Sequence, residues 1–248
     1  NKKLISKQSF LIKKDESKNI SFTIQNQSNF TGRIKITFND IYAFDNVFYF
    51  NINNNKKTNV LSIGNDSKFL SKIYTKEEFN FTESSLQNVN YNSILKQQLI
   101  ILNELEEIPE ILSKSLDFFS NQGGNIVIIP SSNSKIESYN SFFKKISSLK
   151  IYPKVSDTLK ITAINYNHPL FKNVFSKKVN NFQYPITYNH YPFSFKNSSK
   201  IVSFENNLPF ISQINTSKSK IYWLSSSINK KNSNFLNSPF IVPVFFNF

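Results

Sequence analysis

Cysteine is absent from this 248-residue chain, which removes disulfides, thiolate nucleophiles and cysteine metal sites together. Histidine is nearly absent. His168 and His190 are too few for a histidine-rich metal site, so neither a metal nor a cofactor is expected. The 4 glycines form no dinucleotide fingerprint and no P-loop. Arg33 is the only arginine among 30 basic residues. Arginine is the residue suited to bidentate phosphate and base contacts, so nucleic acid is disfavoured as a partner. No apolar run reaches the length of a bilayer span, and no signal peptide is visible. A chain that opens on Asn1 and contains no methionine reads as a fragment of a longer protein.

What is present is aromatic mass and positive charge. Hydrophobic residues make up 39% of the chain, with 26 Phe and 11 Tyr, enough for real cores. The net charge of +14 is unevenly spread. Residues 118–248 hold only three acids, Glu137, Asp157 and Glu205, so nearly all the excess is C-terminal. Such asymmetry can mark an anionic partner. The lysines Lys172, Lys177, Lys178, Lys196 and Lys200 are the candidate patch, and an anionic lipid surface is the partner it would suit. A bland alternative is the Lys, Asn, Ile and Phe bias of an AT-rich genome.

The stretch Phe118–Pro130 organises the rest. It begins as the end of an amphipathic helix, turns on Gly123 and Gly124, and becomes an apolar run, Ile126–Ile129, stopped by Pro130. A glycine just past a helix takes up the left-handed conformation that satisfies its last carbonyls. The run is too short for a helix and reads as a strand buried on both faces. Val60–Ile63 and Leu99–Leu102 have the same character, and helical segments lie between. Three such repeats predict a parallel sheet with right-handed crossovers from residue 57 onward. Beyond a helix at Ser138–Ser147 the pattern drifts to strands, and a last helix carries Phe240, Ile241, Val244 and Phe245.

Residues 1–53 follow another grammar. Lys3–Ile12, Asn19–Gln25, Arg33–Asn39 and Asn46–Ile52 alternate apolar and polar side chains between turn-forming gaps. That predicts a small antiparallel β-sandwich of immunoglobulin-like type. Four strands are fewer than such a sandwich needs, which leaves part of it to lie upstream. The Asn-Lys run 53–57 is the linker.

Ligands of open α/β sheets sit at the carboxyl ends of the strands. Here those ends supply Gly64, Asn65, Asp66, Asn103, Glu104, Ser131 and Ser132. A Ser-His-acid hydrolase would use Ser131 or Ser132 as nucleophile, His168 as base and Asp157 or Glu104 to orient it. The Gly-x-Ser-x-Gly elbow is missing, however, and the serines can equally form a polar turn. His168, followed by Pro169, suits a loop anchor, and His190 sits in an aromatic loop. The cluster Glu104, Glu106, Glu107 and Glu110 reads as a solvated face.

Asn59–Gly64, Leu99–Glu104, Gly123–Pro130 and His168–Phe171, in that order, resemble the class I glutamine amidotransferase-like domain of bacterial BatA-type (aerotolerance-related) membrane proteins. Asp45–Phe50 resembles the β-domain that precedes it there. The resemblance implies a flavodoxin-like domain over 57–248 behind the sandwich. It also implies an inner-membrane anchor outside this stretch, a periplasmic location, and other membrane or periplasmic proteins as partners. The amidotransferase cysteine has no counterpart, so that chemistry does not carry over. The expectation is a non-catalytic module for binding or assembly, with a divergent hydrolase and an anionic-surface binder as alternatives.

Overall fold

A computed structural model describes residues 3–24, 29–38, 41–42, 44–53, 56–65, 67–172, 174–175, 183–195 and 198–248. The chain divides into two units, Asn1–Lys56 and Lys57–Phe248.

In the first unit β1 (Asn29–Lys35) pairs antiparallel with β2 (Val47–Asn53). Phe30 and Ile34 fall on one face with Phe48, Phe50 and Ile52 opposite them, and the Phe30 and Phe50 rings meet edge-on at 5.5 Å. No sandwich forms among the described residues. Residues 3–24 alternate as strands do but join no ladder, and Leu4 and Leu11 are exposed. Alternation defines a face. Only a neighbouring strand can take up the backbone N–H and C=O groups, and the pattern does not name one.

The second unit is built on one nine-stranded mixed sheet. The chain lays down β3 (Thr58–Gly64), α1 (Lys68–Ile73), β4 (Phe79–Ser84), α2 (Tyr91–Ile94), β5 (Leu99–Leu105), α3 (Glu110–Asn121), β6 (Asn125–Pro130) and α4 (Ile136–Ile146). Then follow β7 (Lys150–Ile151), β8 (Val155–Ile164), β9 (Ile186–His190), β10 (Phe193–Ser194), β11 (Ser198–Phe204), β12 (Pro209–Asn215), β13 (Lys220–Leu224) and α5 (Ile241–Phe246). The strand order is β4-β3-β5-β6-β13-β12-β11-β8-β9, with β7 and β10 paired apart.

Strands β4, β3, β5, β6 and β13 are mutually parallel, so the three apolar runs lie side by side. From β13 outward every pairing is antiparallel. The flavodoxin-like, amidotransferase-like parallel sheet expected from the β–α repeats and the resemblance is therefore incorrect. The unit is a β-rich mixed sheet with few, short helices. The reason lies after α4, where among the described residues no further crossover helix joins one strand to the next. Short connections such as the Thr216–Ser219 turn between β12 and β13 can only join antiparallel neighbours.

The central strands are buried on both faces. Ile101, Val127 and Leu224 enter one core with Leu70 of α1 and Val244 of α5. Ile100, Ile126 and Trp223 enter the other, with Leu116 of α3 and Phe142 of α4. Each such side chain contributes about 1.5–3 kcal/mol through burial. No helix among the described residues is long and apolar enough to cross a membrane.

Two glycines are held at positive φ, Gly123 at +97° after α3 and Gly64 at +138° after β3. A Cβ on Gly123 would come no closer than 3.6 Å to its neighbours, whereas on Gly64 it would stand 2.1 Å from the Asn103 carbonyl oxygen. Gly64→Ala is therefore expected to destabilise by more than about 2 kcal/mol, and Gly123→Ala by about 1 kcal/mol. Urea unfolding followed through the single, buried Trp223 measures both. Equal costs would show that backbone conformation alone matters.

Candidate functional site

The crevice at the carboxyl ends of β3, β5, β6 and β13 has a volume of about 680 Å³. Its walls include Asn65, Asn103, Glu104, Ser131 and Ser132 from the first three strand ends, together with the Ile228–Asn232 loop. Phe69 and Leu236 add apolar surface.

Glu104 shapes this end of the sheet. It is a non-glycine residue in the left-handed region, with φ at 55°. Such a residue is held there by its surroundings. Its carboxylate accepts N–H from Ile228 at 3.0 Å and from Asn229 at 2.8 Å on Oε1, and the Asn229 side-chain amide at 2.8 Å on Oε2. Asn229 Oδ1 in turn accepts N–H from Lys231 at 3.1 Å and from Asn232 at 3.2 Å. One carboxylate thus fixes the loop after β13 to the end of β5. Behind the loop, Asn232 Nδ2 donates to Ser226 Oγ at 2.7 Å and to the Ser227 carbonyl at 2.9 Å. Asn189 Nδ2 donates to Asn232 Oδ1 at 2.8 Å. On the other side the Asn103 amide donates to the Asn65 carbonyl and to Ser67 Oγ.

The residues expected at the strand ends are thus brought together, apart from Asp66, which lies outside the described residues. Gly64 stands at the neighbouring rim beside Asn65 and Glu83. The Ser-His pairing that the hydrolase alternative requires is not assembled. Ser132 Oγ lies 2.7 Å from Ser227 Oγ, and Ser131 Oγ accepts the Asn133 N–H at 3.2 Å. His168 begins a short 3-10 turn, Pro169–Phe171, where its Nδ1 accepts the Leu170 N–H at 3.2 Å. The charge felt there is that of Lys220, which opens β13 at the amino ends of the parallel strands. Ser131 and Ser132 lie past the carboxyl end of β6, at the opposite edge of the sheet. Asp157 acts on His190, and Glu104 is committed to the loop, so neither orients His168.

Of the five lysines read as a patch, Lys177, Lys178 and Lys196 lie outside the described residues. Lys172 is exposed, and the Lys200 ammonium donates to the Asn207 carbonyl at 3.0 Å. Among the acids, Glu107 pairs with Lys135 at 2.5 Å and Glu110 with Lys145 at 2.7 Å. Among the described residues no cluster of acids and histidines could hold a metal ion.

Sequence reasoning missed Phe69, Asn189, Asn229, Lys230, Lys231 and Asn232. A signal existed. Ser225-Ser226-Ser227 follows the apolar run Ile221–Leu224 as Ser131-Ser132 follows β6, but β13 did not stand out as a further parallel strand. His190, read as part of an aromatic loop, instead closes β9 next to Tyr191, whose hydroxyl donates to the Ser131 carbonyl at 2.9 Å. Its own Nδ1 is buried without a hydrogen-bond partner, and its ring packs 5.6 Å from Phe204.

No family model matches the chain, and no curated protein matches it. Its fold is similar to that of solved structures. The cytoplasmic protein STM3548 from Salmonella typhimurium is 13% identical with a TM-score of 0.58, over 89% of this chain and 94% of that one. The cytoplasmic protein STM1381 from Salmonella typhimurium LT2 is 10% identical at 0.56, over 88% and 94%. A ThuA-like protein from Bacteroides uniformis is 12% identical at 0.54, over 77% and 89%. At these identities the likeness is one of fold alone. It agrees with a β-rich mixed sheet rather than a flavodoxin-like domain.

Burial holds both histidines neutral. It lowers the His168 pKa below the usual 6.5, with Lys220 adding to the effect. It lowers that of His190 too, against a smaller opposing pull from Asp157. The unfolded chain therefore takes up protons first as pH falls. Their contribution to stability is complete above about pH 6.5 and is lost as pH drops through that value toward the folded pKa. The urea midpoint is expected to be level between pH 8 and 7 and to decline from about 6.5 to 5. Replacing both histidines with Gln should flatten that decline. A wild-type midpoint level down to pH 5 would contradict the account.

Proposed function

We propose that this chain is a non-catalytic binding module whose ligand occupies the crevice at the carboxyl ends of the parallel strands. The observation that carries this reading is the commitment of the polar side chains. The Glu104 carboxylate, the group best suited to acid–base work there, accepts three N–H donors from the loop it fixes. The serine hydroxyls meet another serine, the Asn229 amide or a backbone N–H, and no histidine hydrogen-bonds to them. A nucleophile needs a base within hydrogen-bond reach, and among the described residues none bonds these serines. What the arrangement does supply is a preformed wall of internally bonded amides and hydroxyls. The volume of about 680 Å³ falls in the range of small-molecule sites.

A fluorophosphonate that labels activated serines tests the reading directly. No labelling is expected in the wild-type chain, and Ser131→Ala and Ser132→Ala should behave as it does. Labelling abolished by either substitution would establish a hydrolase and overturn the proposal.

A further inference from the structure

We infer that the ligand of this crevice is a small amphipathic carboxylate, a compact apolar body bearing one anionic head. The inference rests on the crevice being a binding site and adds what it selects. Among the described residues Glu104 is the only acid in the lining, and its one negative charge, held by N–H groups of the wall, stands against two lysines. Lys230 and Lys231 stand exposed at the lip on the loop that Glu104 holds, and neither forms an ion pair among the described residues. Lys154 reaches the same strand end, donating to the carbonyl of the lining residue Ser132 at 2.6 Å. The field left at the lip is positive.

The other wall is apolar. Phe69 and Leu236 are half-buried and pack onto the core, Phe69 edge-on to Phe245 at 5.5 Å. Each leaves part of its surface facing the crevice. A fully polar ligand would leave that surface without a partner, and a fully apolar one would leave the ammonium groups unpaired. A phosphate head is less well served than a carboxylate. Phosphates are gripped by bidentate arginine or by convergent backbone N–H groups. Arginine is absent here, and the Lys231 and Asn232 N–H groups already bond Asn229 Oδ1. Lysine ammonium groups act as point charges that a single carboxylate can satisfy.

Calorimetric titration of the full chain at low salt with 3-phenylpropionate, 3-phenylpropionamide and phenyl phosphate tests this. The carboxylate should bind about tenfold more tightly than its neutral amide, and the preference should fade with added salt. The double substitution Lys230→Gln/Lys231→Gln should reduce the carboxylate to the level of the amide. Phe69→Ala should weaken both alike, and unchanged urea midpoints would show that the variants fold. Equal binding of carboxylate and amide would overturn this inference and leave the crevice as a neutral site. Tighter binding of phenyl phosphate would overturn the choice of head group. No binding of any probe at millimolar concentration would count against the binding-module reading itself.

Discussion

Both faces of one sheet have to be kept dry, and most of the second unit follows from that. Leu99–Leu102 and Ile126–Ile129 send successive side chains to opposite cores, so neither face can be left to water. Short helices cover both, α3 and α4 on one side and α1 and α5 on the other. A strand buried on both faces has no place for polar side chains except its ends. Asn103, Glu104, Ser131 and the serines after β13 all fall there. The crevice is thus a consequence of how the core excludes water.

At that end a few backbone constraints convert loose strand ends into a shaped wall. Gly64 has no Cβ and so lets the β3 turn pass against the Asn103 carbonyl, while Glu104 turns left-handed and aims its carboxylate at the loop after β13. The loop then organises itself around Asn229 and Asn232. Hydrogen bonds to a charged acceptor are each worth roughly 1.5–3 kcal/mol, so three of them offset the cost of one strained residue. A wall so thoroughly bonded to itself is held in one arrangement.

How much of this could be read from residues alone depended on how local the cause was. The strand 125–130 and the glycine stop before it were legible because burial and φ preference act over a few residues. The parallel relation of β3, β5 and β6 followed from the spacing of the β–α repeats. The antiparallel half was not legible, since Val155–Ile164 and Ser198–Phe204 look alike whichever neighbour they take. Three strand-end segments of the crevice were anticipated for the same local reason. The Glu104 clamp was invisible, because it joins residues 125 positions apart, and so was the separation of His168 from the serines. In the first unit, alternation in 3–24 promised strands that found no partner among the described residues.

The central claim is that Glu104 makes the Ile228–Asn232 loop a rigid part of a preformed wall. Amide hydrogen exchange of the unliganded chain tests it most directly. The N–H groups of Ile228, Asn229, Lys231 and Asn232 should be protected nearly as well as those of β5, and Glu104→Gln should release them while β5 stays protected. Exchange of these amides at the rate of an open loop in the wild-type chain would contradict the account.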